Sequence, residues 1–326
     1  MPVQTTIIGM GQIGTSIGLA LAEHKENIYR VGHDKEIGIA RKAEKMGALD
    51  RVEINIPNAV REAGVVVLAL PLDQIREMLE IIAPDLKENA VVLDTAPVKQ
   101  VVAGWAKELL PESTHYVGLV PVLNPIYLHE QVSGVDTAHA DLFQRGMMAV
   151  VPPAGASGDA VKLATDFISL IGSEHLFFDP VEIDSLMAAV HLLPALMAAG
   201  LLNMTIDQPG WLEGRKLAGK AYAGTTMQFD VPAALSSAAL HNQEPVLRVL
   251  DGLIANLAFI REEVNKQNEE ALLEYLASAQ KGRARWSQER LRGNWVVEQT
   301  APNVEMPTSK DFVNRLFGFR KPKEKK

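Results

Sequence analysis

The chain has 326 residues, 47% of them apolar, a formal net charge of −8 and no cysteine. That length is enough for two domains with a sizeable core. The acidic balance supplies no basic face for nucleic acid. The lack of cysteine excludes disulfides, thiolate metal sites and thiol catalysis, and no metal site is expected. The first residues lack the charged-then-apolar form of a secretion signal, so a cytoplasmic location is expected.

Thr5-Thr6-Ile7-Ile8 is a short β-prone run, followed at once by Gly9-Met10-Gly11-Gln12-Ile13-Gly14. Ile17, Leu19, Leu21 and Ala22 continue a helical pattern. A second strand, Ile28-Tyr29-Arg30-Val31-Gly32, then ends near Asp34, twenty positions after Gly14. Each part of this strand, turn, helix and strand has a separate task in holding a dinucleotide. Gly9 allows the tight turn, Gly11 lets the backbone approach a pyrophosphate, and Gly14 lets helix and strand pack closely. Gln12 and Ile13 open the helix, whose free N–H groups and positive dipole end meet the phosphates. Asp34 accepts hydrogen bonds from the adenosine ribose hydroxyls and repels a 2′-phosphate, so the expected cofactor is NAD rather than NADP.

Val65 to Leu70 reads as a buried strand ending at Pro71, and Asp73 to Ile82 resumes a helical pattern. Ala90 to Asp94 is another buried strand, followed by Thr95-Ala96-Pro97-Val98-Lys99. Tyr116 to Gly118, Met147 to Val151 and Leu176 to Phe178 complete the series. Continuous apolar strands separated by helices predict a parallel sheet covered on both faces. Ligands of such sheets bind beyond the carboxyl ends of the strands. The turns after Ile8, Leu70 and Asp94 should therefore lie together, with Leu70, Pro71 and Thr95 toward the nicotinamide half. Residues 1–180 are read as an α/β Rossmann dinucleotide-binding domain.

Residues 181–291 lose the strand signal and are read as an all-α dimerisation/substrate domain. Leu186 to Leu202 is the most apolar stretch, 17 residues interrupted by His191 and Pro194. It is too short for a confident membrane span and reads as a buried helix. Val246, Leu250, Leu253, Leu257, Ile260 and Val264 recur at three and four residues, the mark of an amphipathic helix with a wide apolar face. Leu272 to Trp286 suggests another helix. So much apolar helical surface is expected to be covered by a second copy, giving a homodimer, against the alternative of a self-sufficient monomeric core. Residues 292–326 form a polar tail with Phe312, Leu316 and Phe319 before a basic end. It is expected to dock on its own protein or stay disordered rather than touch a membrane.

In order along the chain, several motifs resemble the prephenate/arogenate dehydrogenase family, NAD(P)-dependent enzymes of tyrosine biosynthesis. They are the glycine turn, Asp94 to Lys99 against a family Asp-x-x-Ser-x-Lys, and Tyr116-Val117-Gly118 before a proline. Ser133-Gly134, Leu142-Phe143, Asp184 to Val190, and Leu193-Pro194 within a family Ser-His-Leu-Pro-His segment follow, then Pro232 and Asn242. The similarity covers residues 4 to 286 and implies a Rossmann domain followed by a dimerising helical domain. It also implies hydride transfer from prephenate or arogenate, a small carboxylic acid, to the nicotinamide with loss of carbon dioxide.

That reaction needs a group to accept the hydroxyl proton and a cation to hold a carboxylate. In the family these resemble a His before the Pro, a Ser in the Asp-x-x-Ser-x-Lys turn and an Arg in a Thr-Arg pair. The corresponding positions here are Val120, Pro97 and Thr226, while the family His of Ser-His-Leu-Pro-His falls on Leu192 and its last His on Ala195. Losing one acid–base group costs about 10²–10⁴ in rate, so low activity or an altered substrate is expected. His191, one position from the family His, is the candidate acid–base group, set against a core histidine bonded to backbone. Lys99 is a candidate to polarise a carbonyl or hold a carboxylate, and Asn124 to donate to a substrate oxygen. A solvated helix start and an Asn-Pro turn are the plainer readings of those two. Arg215, Lys216 and Lys220 offer further cations. The alternative function is a catalytically silent NAD-binding sensor or partner protein. The 3-hydroxyacid dehydrogenases are disfavoured, because Ile183 to Gly200 contains no lysine.

Overall fold

β-Branched runs buried on both faces build the sheet around which the first part of the chain folds. The computed structural model describes residues 2–130, 133–227 and 231–293. The chain divides into two compact units between Ile183 and Asp184.

In the first unit, β1 (Val3–Ile8), α1 (Gln12–Ala20), β2 (Ile28–His33), α2 (Ile37–Lys45) and β3 (Arg51–Val52) run in order. They are followed by α3 (Ile56–Val60), β4 (Ala63–Leu68), α4 (Leu72–Ile82), β5 (Val91–Asp94), α5 (Gln100–Leu109) and β6 (His115–Val122). β7 (Met147–Val151), α6 (Gly158–Leu170) and β8 (Glu174–Phe177) complete it. The eight strands lie in the order β3-β2-β1-β4-β5-β6-β7-β8. The chain leaves β1 toward β2 and later returns to its other side at β4, so the sheet's growth reverses at β1. That reversal opens a crevice at the carboxyl ends of β1 and β4, where open α/β sheets take ligands. β4 and β5 are buried along their whole length. Ile7, Ile17, Val65, Val67, Leu93, Val117 and Phe167 belong to one core cluster between the sheet and its helices.

The expectation of a wholly parallel sheet is corrected at β7. It pairs antiparallel with β6, with Gly118 opposite Val151 and Val122 opposite Met147. Between them the described residues form short 3₁₀ turns at Pro125–Tyr127 and Val135–Thr137 but no crossover helix. Without that crossover the chain folds back beside the strand it has just left. α6 then provides a crossover, and β8 runs parallel to β7.

The second unit follows from α7 (Pro180–Met187), which spans the boundary, through a π-turn at Ala188–Leu192 into α8 (Leu193–Ile206). α9 (Trp211–Leu217), α10 (Lys220–Thr226), α11 (Pro232–His241), α12 (Gln243–Asn265) and α13 (Glu269–Arg292) complete it. α12 and α13 match the two amphipathic runs read from the sequence. Asn242, nearly buried after α11, donates its side-chain amide to the Asp184 carbonyl at 2.7 Å and so ties α11 to the start of the long helix.

The reading of Leu186 to Leu202 as a buried helix is also corrected. The helix runs 27 residues, Pro180–Ile206, and only 17% of its most apolar window is buried. Its length therefore no longer argues against a membrane span. It packs against α10, α11 and α12, yet Leu186, Val190, Met197 and Met204 stay exposed. Within one described chain nothing forms the second layer that such a face needs. The tail, from residue 294 onward, lies outside the described residues.

Candidate dinucleotide and acid–base site

The glycine turn is built by contacts that no larger residue could make. Gly9 has φ +93°, and a Cβ there would lie 2.4 Å from the Ala69 carbonyl oxygen. At Gly14 a Cβ would lie 1.9 Å from the Gly9 carbonyl oxygen. Gly11 is different: a Cβ there would meet nothing within 4 Å. The protein's own packing therefore requires glycine at 9 and 14 but leaves open space at 11. Gly11 is also the N-cap of α1 and supplies no side-chain cap, so the helix keeps N–H groups available to an anion.

Three backbone hydrogen bonds bind the neighbouring turns into one row beyond the strand ends. Gly9 N–H donates to His33 O at 2.9 Å, Ala69 N–H to Ile8 O at 2.8 Å and Thr95 N–H to Leu68 O at 3.1 Å. The row holds Leu70, Pro71 and Thr95, all partly exposed, on the far side of β1 from Asp34. The Asp34 carboxylate accepts from Met10 N–H at 2.7 Å and from Glu36 N–H at 2.9 Å. It is thus fixed beside the glycine turn at the end of β2. An open position at Gly11, an uncapped helix start and a carboxylate at this distance along the sheet fit a dinucleotide's pyrophosphate and ribose.

Gln12 is engaged by its side chain as well as placed at the helix start. Its amide donates to Thr137 O at 2.9 Å and to Glu130 Oε2 at 3.3 Å. Glu130 Oε1 pairs with His139 Nε2 at 2.9 Å, and the His139 ring stacks on Tyr127 at 4.0 Å. The Tyr127 hydroxyl donates to Asp141 Oδ1 at 2.6 Å. Burial first, then the neighbouring Asp141 carboxylate, pushes its pKa up to about 12. This cluster on the β6–β7 connection packs over α1 and was not legible in advance. Within the connection the paired side chains lie nine to fourteen positions apart, with no periodic signal.

The proposed chemical residues stand in three different settings. Lys99 is 1% exposed, and its ammonium bonds Asp94 Oδ1 at 2.7 Å and Asp94 O at 3.1 Å. From there it holds the turn. Asn124 is buried; its side chain accepts from Ile126 N–H and donates to Asp141 O, both at 3.3 Å, as a turn residue does. His191 sits on the π-turn, exposed and without a hydrogen bond to any described residue. Nearby protein nevertheless strips enough water from the imidazole to push its pKa below 6.5. The reading of a buried histidine bonded to backbone is not what the residue does.

The three substituted positions are equally plain. Val120 is buried in β6 opposite Ala149. Pro97 lies in the β5–α5 turn with no donor, and the Thr226 hydroxyl bonds back to the Tyr222 carbonyl at 2.9 Å. Arg215, Lys216 and Lys220 are exposed.

The switch-point sheet and the glycine turn with the Asp34 carboxylate beside it, followed by a helical unit with an open apolar face, fit a two-domain, dinucleotide-binding protein. Residues 17–176 match the nucleotide-binding domain of prephenate dehydrogenase, and residues 179–278 match its dimerization domain. The chain belongs to the prephenate dehydrogenase family. It is 28% identical over 280 residues to the cyclohexadienyl dehydrogenase of Zymomonas mobilis, covering 85% of this chain and 94% of that protein. It is 26% identical over 276 residues to the prephenate dehydrogenase of Bacillus subtilis, covering 84% and 73%. Among solved structures, the fold is shared with the prephenate dehydrogenase from A. aeolicus in complex with hydroxyphenyl propionate and NAD+. That match has a TM-score of 0.76 at 22% identity and covers 87% of this chain and 98% of that chain. Synechocystis arogenate dehydrogenase aligns with a TM-score of 0.67 at 20% identity, covering 87% and 100%. The chain is an NAD-dependent dehydrogenase of this type, in tyrosine biosynthesis, and its helical unit is the family's dimerisation domain.

Proposed function

We propose that this chain oxidatively decarboxylates prephenate or arogenate, slowly, with His191 as the group that accepts the hydroxyl proton. NAD, when bound, supplies a nicotinamide ring that accepts a hydride. The chain's own residues hold and orient it: backbone N–H groups from Gly11 to Gly14 on the pyrophosphate, Asp34 on the adenosine ribose, and Leu70, Pro71 and Thr95 along the nicotinamide half. The hydroxyl-bearing ring carbon gives up its hydride, the hydroxyl proton passes to His191, and the ring carboxylate leaves as carbon dioxide, its bonding pair completing the aromatic ring.

The observation that carries the choice of His191 is the π-turn at Ala188–Leu192. A π-turn takes one residue more than an α-turn, and such turns recur at functional sites. It therefore shifts the helix register by one position, the same offset that separates His191 from Leu192. A neutral imidazole is required to accept the proton. Because desolvation lowers its pKa, the acid limb of the rate profile should lie below pH 6.5, with activity lost as pH falls through it. The test is NADH formation from NAD with prephenate and then arogenate, by the wild type and His191→Asn. The variant should lose about 10²-fold or more in kcat with NAD affinity unchanged. Equal turnover by the two proteins would remove His191 from the mechanism. NAD binding without turnover on either acid would remove the reaction itself.

A further inference from the structure

The β5–α5 turn holds two buried charges to which the reaction proposed above assigns no part. Asp94, the last residue of β5, is fully buried, and so is Lys99, five positions on. Asp94 Oδ1 accepts from Lys99 Nζ at 2.7 Å and from Ala96 N–H at 2.9 Å. Asp94 Oδ2 accepts from the Tyr116 hydroxyl at 2.6 Å, reaching across from β6. The carbonyl of Asp94 takes a further bond from Lys99 Nζ at 3.1 Å. β6 makes room for this by placing Gly118 in register with Asp94. A Cβ on Gly118 would come within 2.8 Å of Lys99 Cδ and 3.0 Å of the Tyr116 hydroxyl.

A buried ion pair is a poor way to gain stability, since well-packed apolar residues of the same volume do as well or better. What such a pair does well is hold one geometry, because every alternative leaves a charge unsatisfied. Here the geometry held is that of residues 95–99, the loop that runs off β5 at the carboxyl edge of the sheet. Both ends of that loop are pinned. Thr95 N–H is tied to Leu68 of β4, and Lys99 is drawn back under the turn to Asp94. Tyr116 supplies a rigid aromatic strut from the next strand.

We propose that Tyr116, Asp94 and Lys99 form a positioning triad that fixes the Thr95 turn against the nicotinamide half of the bound cofactor. This deepens the NAD reading above and rests on it. None of the three touches cofactor or substrate. They act through Thr95, on the opposite side of β1 from the Asp34 end that takes the adenosine. The triad should therefore matter for one half of the cofactor and not for the other.

Tyr116→Phe removes one hydroxyl and keeps the ring. Dissociation constants for NAD and for ADP, which lacks the nicotinamide riboside, are measured by calorimetry on the full-length wild type and variant, with the thermal midpoint of each recorded. Loss of a hydrogen bond to a charged group is worth about tenfold in an equilibrium. The expected result is about 3- to 10-fold weaker NAD binding with ADP binding unchanged. Lys99→Met, read in the same way, should produce the same selective loss if it folds. Equal weakening of both ligands, or of neither, would overturn the triad's role and leave a purely structural network. If the wild type bound ADP but gained nothing from the nicotinamide riboside, the NAD reading itself would fall, and the triad with it.

Discussion

The two units of this chain bury themselves very differently. In the first, β4 and β5 have no exposed residue, and the helices on either face close over the sheet. In the second, α8 buries Ala198 and little else, while Leu247, Ile254, Leu257 and Leu273 lie open on α12 and α13. Burial of apolar surface is worth about 25 cal/mol per Å², and nearly all of the buried apolar residues belong to the first unit. The second becomes comparably buried only when its helical faces are covered. A Rossmann unit has to be rigid before its ligand arrives, because the ligand contributes no strand or helix to it. A dimerisation domain is under no such demand, since its missing layer is a second copy of itself.

The sharpest way to break the first unit is at its tightest contact. Gly14→Val places branched carbon where even a single Cβ would sit 1.9 Å from the Gly9 carbonyl oxygen. Overpacking of this kind costs about 1–3 kcal/mol or more. The variant should show no calorimetric NAD binding and a lowered thermal midpoint. Retained binding would mean that the turn relaxes far more than a buried, hydrogen-bonded backbone should. The second unit is tested by charge rather than volume. Ile254→Asp combined with Leu257→Asp, both more than half exposed on α12, should leave helix content unchanged and convert dimer to monomer in sedimentation velocity. Loss of helix in the same variant would show instead that this face is core to the single chain.

Legibility in the sequence followed the same division. The glycine turn, Asp34, β4 and β5 could be read because each rests on short-range logic: a spacing, a run of β-branched residues, a proline stop. The direction of β7 could not, since a strand's apolar pattern is the same whichever way it runs. Only the absence of a crossover helix decides it. β3 escaped because Arg51–Val52 is too short for any pattern. Lys99 read as a solvent-facing or substrate-facing cation because nothing in its neighbourhood announces that Tyr116, on the next strand, closes the space above it. The Glu130–His139 pair was invisible for a related reason: long-range placement on a connection, not periodicity, brings the two together. The exposed apolar helix was misread as buried because a sequence shows how much surface must be covered but not by which chain.

Asp34 sharpens the picture at the adenosine end. Asp34→Ala removes a carboxylate that receives two backbone N–H groups. Bonds to a charged acceptor are worth about 1.5–3 kcal/mol. NAD affinity should therefore fall about 10- to 100-fold, one factor of ten for each 1.4 kcal/mol. NADP should lose less, because its 2′-phosphate would no longer meet a negative charge. Titrations of both nucleotides against wild type and variant give the ratio. An unchanged NAD affinity would remove Asp34 from the cofactor site.

The smallest effect is expected at Gly11, and it separates two reasons for keeping a glycine. Gly11 has φ −69° and ψ −163°, an extended conformation that alanine adopts without strain. A Cβ there meets no protein atom within 4 Å. Gly11→Ala should therefore leave the free protein as stable as before, or more so by about 0.4–1 kcal/mol through loss of unfolded-state entropy. The added methyl would instead project into the space where a pyrophosphate approaches the backbone, weakening NAD by a few-fold to about tenfold. Thermal midpoint without ligand and calorimetry with NAD would then move in opposite directions. A variant that lost stability would show that protein fills this space after all, and one that bound NAD normally would show that the pyrophosphate lies elsewhere. Packing demands glycine at 14 and leaves 11 open, so opposite shifts at Gly11 would assign that open place to the ligand.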